Sequence, residues 1–190
     1  YKIISNNMAT APVLRPRLPS TIDVELSDTE IGRGSFGIVY KGTLTSTNKP
    51  VAIKVLQNMT HEMHNEIETV KKLPQNHPNI TQILDVKRSD TQAQIIMEYC
   101  DTNLHSYFVH NFSDIDIDRK LALMAQIVSG THFLHVNNII HRDLKPANIL
   151  VQTPRFSSPI VKLTDFGFAK IVESKAGQHQ YTIIGTEWYM

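Results

Sequence analysis

The 190 residues carry 19 Lys and Arg against 18 Asp and Glu, a net charge of +1, and so even a balance gives no reason to expect nucleic acid or an anionic membrane as partner. With 41% apolar residues, the chain can build one substantial core or two small lobes that share an interface. Cys100 is the single cysteine, which excludes an internal disulfide and a cysteine metal cluster and favours a reducing compartment, cytoplasm or nucleus. No apolar run approaches the roughly 18 residues that span a bilayer, and the opening residues lack the architecture of a signal peptide. A start at Tyr1 rather than Met reads as a piece of something longer.

Residues 1–20 read as a linker or N-terminal extension, because small, basic and Pro residues (Pro12, Pro16, Pro19) alternate there without a helical or strand period. Strands are expected from the alternation of Ile22, Val24 and Leu26, and then from the β-branched runs at Ile38-Val39-Tyr40 and Val51-Ala52-Ile53. Between 60 and 73, Met63, Ile67, Val70 and Leu73 recur at helical spacing, and His77-Pro78-Asn79 closes the segment. Two more strands are expected over 81–86 and 94–99. A longer helix over 118–137 shows Leu121, Met124, Ala125 and Val128 on one face and Leu123, Ile127 and Leu134 on the next, so burial on more than one side is expected. The stretch 152–160, with Pro154, Ser157, Ser158 and Pro159, reads as a surface turn.

Chemistry is carried first by Gly32-Arg33-Gly34-Ser35-Phe36-Gly37-Ile38-Val39, a Gly-x-Gly-x-x-Gly-x-Val run between two expected strands. Glycines let the backbone approach phosphate oxygens, where N–H groups donate to the charge. A dinucleotide fingerprint needs a helix after its glycines and here a strand follows, so that reading fails, while an ordinary glycine-rich hairpin remains open on this run alone. Val51-Ala52-Ile53-Lys54 places a lysine at the end of a buried strand, where it needs an anionic partner. Glu66 shares the apolar face of its helix with Met63, Val70 and Leu73, although Glu62 and Glu68 compete for the role. Most specific are Ile140-His141-Arg142-Asp143-Leu144-Lys145-Pro146-Ala147-Asn148-Ile149-Leu150 and Lys162-Leu163-Thr164-Asp165-Phe166-Gly167. Phosphoryl transfer asks for a carboxylate facing the attacking hydroxyl and for oxygen ligands that hold Mg²⁺ on nucleotide phosphates, and both are supplied.

With these motifs in this order, the chain resembles the eukaryotic protein kinase family, Ser/Thr branch, from about residue 21 to its last residue. The resemblance implies an α+β, bilobal fold: a small antiparallel β lobe with one helix at 21–99, and an incomplete, mainly helical large lobe at 100–190. It implies ATP and Mg²⁺ as cofactors, with Ile31 and the lid Gly32, Arg33, Gly34, Ser35, Phe36 and Gly37 over the phosphates. Lys54 would bind the α and β phosphates and Glu66 would hold Lys54. Asp143 would orient the substrate hydroxyl and accept its proton, Lys145 would contact the γ-phosphate, and Asn148 and Asp165 would hold Mg²⁺. Adenine would meet the backbone of Glu98 and Cys100 behind Met97, sandwiched by Val39, Ala52 and Leu150. A second apolar stack of Val70, Ile83, His141 and Phe166 would join the two lobes, with His141 structural rather than catalytic. Lys145-Pro146 and Thr186 resemble the Ser/Thr branch, with tyrosine as the alternative acceptor. Partners implied are a protein substrate and an upstream activating kinase or a second copy acting in trans, with Thr182 as the regulatory phosphosite opposite Arg142 and Lys170.

Several features depart from the family pattern. Lys54 and Glu66 lie closer in sequence than the family usually shows, and Asp143 and Asp165 lie further apart, the turn at 152–160 absorbing the excess. The connector after Cys100 is short, leaving Asp101 and Asn103 as candidates for the ribose contact. The family continues beyond Tyr189-Met190 into an Ala-Pro-Glu element and a buried central helix, so residues 1–190 alone are expected to be poorly stable and inactive. A pseudokinase scaffold is the rival from another class, but every catalytic position is intact. A small-molecule kinase would leave Lys145, Thr186 and the lid unexplained together.

Overall fold

A computed structural model describes residues 22–34, 37–57, 60–89, 91–111, 115–155 and 157–172. The expected linker at 1–20, Ser35 and Phe36 of the lid, and Thr182 and Thr186 lie outside the described residues.

Strands β1 (Val24–Gly34), β2 (Gly37–Leu44), β3 (Pro50–Gln57), β4 (Ile83–Arg88) and β5 (Gln92–Glu98) form one antiparallel sheet in the order β1-β2-β3-β5-β4. The expected strands at 81–86 and 94–99 are each offset by about two residues, the usual slip at strand ends, where pairing rather than composition sets the boundary. β3 is central and buried without interruption from Val51 to Lys54, because a mid-sheet strand has both faces covered. Val39 pairs opposite Lys54, Lys54 opposite Ile95 and Ala52 opposite Met97. Opposed residues project from one face, so one side of the sheet gathers Val39, Ala52, Lys54, Ile95 and Met97. The other side packs Val51, Ile53 and Ile96 into a separate small cluster. β2 begins at a glycine of necessity, since a Cβ on Gly37 would lie 2.4 Å from the Val55 carbonyl oxygen.

Helix α1 (His61–Lys72) fills the expected segment. Thr60 caps it by accepting from the Met63 N–H, Glu62 sits in the first turn and Lys71 and Lys72 in the last, so both ends suit the helix dipole. Met63, Glu66, Ile67 and Val70 form its buried face.

The second lobe holds β6 (Thr102–Asn103), α2 (Leu104–Asn111), α3 (Ile117–Val136), β7 (Ile139–Ile140), a 3-10 turn (Pro146–Asn148), β8 (Ile149–Gln152), β9 (Ile160–Leu163) and β10 (Lys170–Ile171). α3 corrects the expectation of burial on more than one side. Leu123, Gly130 and Leu134 are buried, whereas Leu121, Met124 and Val128 are 56%, 60% and 66% exposed. The buried face meets β9 and the Asn79 loop, and a Cβ on Gly130 would stand 2.8 Å from the Asn79 carbonyl oxygen, so glycine permits that approach. The loop after α1 crosses to this lobe as well: the Leu163 N–H donates to Asn79 O (2.9 Å) and the Thr81 N–H to Leu163 O (3.0 Å). The buried core runs without a break from α1 through the sheet into α3 and β9. Among the described residues no helix is long and apolar enough to cross a membrane.

Candidate active site

Between the lobes lies a cleft of about 850 Å³. Its roof is the β1–β2 edge, with Ile31, Gly32, Arg33, Gly34 and Val39; Ala52 and Lys54 form the sheet wall, Met97 and Cys100 the back, and Leu150 the floor. The expected apolar sandwich of Val39, Ala52 and Leu150 is therefore brought together in one space. The Glu98 carboxylate is taken up by Lys162, Gln152 and the Gln82 N–H.

Lys54 sits at the inner end. Its Nζ donates to Glu66 Oε1 (2.7 Å) and Oε2 (2.9 Å) and to Asp165 Oδ1 (2.9 Å), with its side chain 7% exposed. Burial works against the ammonium charge, but attraction to the two carboxylates outweighs it and holds the Lys54 pKa above the ordinary lysine value. The rivals for Glu66 are spent elsewhere: Glu68 pairs with Lys71 on the surface and Glu62 lies in the first helical turn. Twelve positions separate Lys54 from Glu66, and this spacing is long enough to close the pair.

At the opposite wall Asp143 is 4% exposed. Its Oδ2 accepts from Asn148 Nδ2 (2.8 Å) and lies 2.9 Å from Lys145 Nζ, while its backbone oxygen accepts from the same Asn148 amide (2.9 Å). The carboxylate is thus oriented by groups from its own loop. With the Asn148 nitrogen turned to Asp143, its amide oxygen is the atom left to meet a cation. Asn148 oxygen and the Asp165 carboxylate are hard donors, few in number, and this is the set Mg²⁺ accepts when it keeps waters and takes substrate phosphate oxygens. They fit the ion; bound there, it would supply charge neutralisation on the phosphates. A Cβ on Gly34 would lie 3.9 Å from Asp165 Oδ2, so the roof glycine stands over the same carboxylate.

Both chemical loops carry a residue in the left-handed region, Arg142 (φ 63) and Asp165 (φ 64). Such backbone persists where the surroundings over-determine it. The Thr164 N–H donates to Asn148 O (3.1 Å), and His141 lies between the loops. The Asp143 N–H donates to His141 Nδ1 (3.3 Å), so the ring proton is on Nε2, which donates to Thr164 O (2.8 Å). Burial lowers the His141 pKa below its ordinary value, keeping the ring neutral. His141 and Phe166 rings lie 5.3 Å apart, and Val70 and Ile83 are buried with them.

The hinge behind the cleft is braced by side chains that the sequence does not single out. Glu98 Oε1 accepts from the Gln82 N–H (2.6 Å) and pairs with Lys162 (2.9 Å), and Glu98 Oε2 accepts from Gln152 (3.0 Å). Of the two ribose candidates, Asp101 Oδ2 is engaged by the Thr153 N–H (2.7 Å) and hydroxyl (2.8 Å), and Asn103 Oδ1 caps α2 through the Ser106 N–H (2.9 Å). Asp101, Asn103 and Ser106 all line the cleft.

An antiparallel lobe hinged to a helical one thus brings a buried lysine and two acidic loops together at the gap. The family model described as "Protein kinase domain" matches residues 26–190, and the chain belongs to that family. It is similar to the serine/threonine-protein kinase atg1 of Dictyostelium discoideum, 35% identical over 158 residues, covering 77% of this chain and 23% of that protein. It is also similar to the serine/threonine-protein kinase atg1 of Schizosaccharomyces pombe, 29% identical with 90% and 25% covered, and to cyclin-dependent kinase 4 of Xenopus laevis, 35% identical with 84% and 52% covered. The chain spans about a quarter of the length of the two atg1 kinases.

Proposed function

We propose that the protein containing this chain transfers the γ-phosphate of Mg-ATP to Ser or Thr hydroxyls of protein substrates. The observation that carries the reading is the Lys54 ammonium held between Glu66 and Asp165 on one wall, with Asp143, Lys145 and Asn148 gathered on the other. In this reading Lys54 grips the nucleotide phosphates, Asn148 and Asp165 take the metal, and Asp143 faces the hydroxyl and receives its proton. Adenine lies on the Glu98–Cys100 connector, and the ribose meets Asn103. Pro146 beside Lys145, with Thr186, favours Ser/Thr over Tyr, and the names of the similar kinases agree. The site of action is cytoplasmic or nuclear.

Thr182 is the proposed activating phosphosite, since a phosphate there adds about −1.5 to −2 charge for Arg142 to pair. Full activity of a Thr182→Ala protein would remove that switch. The reading as a whole is tested by incubating the full-length protein with Mg-ATP and a degenerate peptide library. Phosphate is expected on Ser and Thr; phosphate on Tyr alone, or on no peptide, would overturn it.

A further inference from the structure

Asn65 precedes Glu66 on α1, about 100° round the helix, and faces a different part of the site. Its Nδ2 donates to Ala169 O (2.8 Å) and to Gly167 O (3.2 Å), both in the segment that follows Asp165. The carbonyl between them, on Phe168, accepts from Arg142 Nε (2.7 Å). Three successive carbonyls are therefore gripped from two sides, the outer two by the small lobe and the middle one by the loop of Asp143. The gripped turn is closed by the Ala169 N–H donating to Phe166 O (3.0 Å), and Phe166 and Ala169 are 2% and 0% exposed.

We infer that Asn65 is a positioning residue that makes the placement of Glu66 and the placement of Asp165 one event. Glu66 and Asp165 are the two anionic partners of Lys54, and they arrive on separate elements with a long stretch of chain between them. Asp165 is in the left-handed region, a conformation that surrounding contacts must hold. A helix that carries Glu66 away from Lys54 also withdraws the Asn65 amide from residues 167 and 169; a rearrangement of that turn does the same from the other side. Chemistry limits the side chain: two carbonyl oxygens need donors, which an amide supplies from one nitrogen, whereas an aspartate there adds a third acceptor and repels both.

This inference rests on the kinase reading only for its rate measurement. In the full-length protein, Asn65→Leu is expected to lower kcat/KM for Mg-ATP by about ten- to a hundredfold, as misplacement by an ångström does, with KM for peptide changed less than that for Mg-ATP. Asn65→Asp is expected to fall further than Asn65→Leu. Amide hydrogen exchange without nucleotide is expected to quicken in residues 61–72 and 166–171 together, with little change in the melting temperature. This exchange readout stands even if no phosphate transfer is found, so failure of the kinase reading and failure of the coupling are distinguishable. Faster exchange in one segment alone, or in neither, or a kcat/KM within twofold of wild type in an active enzyme, would overturn the inference.

Discussion

Cys100 lines the cleft, yet its thiol is pushed up to about 12 by burial and by the Glu98 carboxylate, with Lys162 partly countering. A thiol held that high stays protonated at neutral pH and is a weak nucleophile. Iodoacetamide at pH 7.4 is expected to label Cys100 at least about tenfold more slowly than a free thiol; peptide mass spectrometry showing labelling at the free-thiol rate would contradict this. His141 gives a pH-dependent counterpart. Its folded pKa lies below the ordinary value of 6.5, so its neutral ring contributes fully above that value and the contribution is lost as pH falls below it. His141→Phe strips donor and acceptor from Thr164 O and the Asp143 N–H, at an expected cost of about 1–3 kcal/mol at pH 7.5. The stability gap between the two proteins, followed by urea unfolding, is expected to narrow towards pH 5.5; a constant gap would refute the account. Lys54, Asp143, Asn148 and Asp165 were legible because each sits in a motif whose chemistry names it. Asn65 and the Glu98–Lys162–Gln152 brace were not, because their roles depend on which carbonyls and charges the fold brings within 3 Å, and no local pattern encodes that.

α1 was plain from the spacing of Met63, Ile67, Val70 and Leu73, and its caps fall at Thr60 and Leu73. α2 leaves little sequence signal because eight residues give barely two apolar repeats, Leu104 and Tyr107; its one cue is Asn103, a residue type that favours helix starts. In α3 the sequence showed two apolar faces but not which one has a neighbour. Gly130 decides that question: helix propensity alone favours alanine by about 0.8–1 kcal/mol, whereas the new Cβ would press against a backbone oxygen 2.8 Å away. Overpacking costs about 1–3 kcal/mol, so Gly130→Ala is expected to lower the melting temperature of the full-length protein. An increase would mean that the α3–Asn79 contact is looser than described.

The whole molecule is two lobes sharing one core, and the cleft exists because β5, the hinge and the Asn79–Thr81 loop tie them. Its weak side is α3. Leu121, Met124 and Val128 stand in water in these 190 residues, and each uncovered apolar side chain forgoes about 1.5–3 kcal/mol against a domain's total of about 5–15. Residues 1–190 expressed alone are expected to unfold without a sharp transition, to bind a hydrophobic dye and to phosphorylate no peptide. Leu121→Lys with Val128→Lys is expected to reduce dye binding by residues 1–190; a cooperative transition with robust turnover from unaltered residues 1–190 would show that this face needs no cover. The division of labour across the cleft, phosphates and metal on Lys54 and Asp165, the hydroxyl on Asp143, is tested most directly by Asp143→Asn in the full-length protein. Nucleotide affinity by calorimetry and transfer of radiolabelled γ-phosphate to peptide would be measured side by side. The account predicts affinity within about threefold of wild type and transfer reduced by about 10²–10⁴, the range of a lost general base; a loss of affinity matching the loss of rate, or transfer near the wild-type rate, would contradict it.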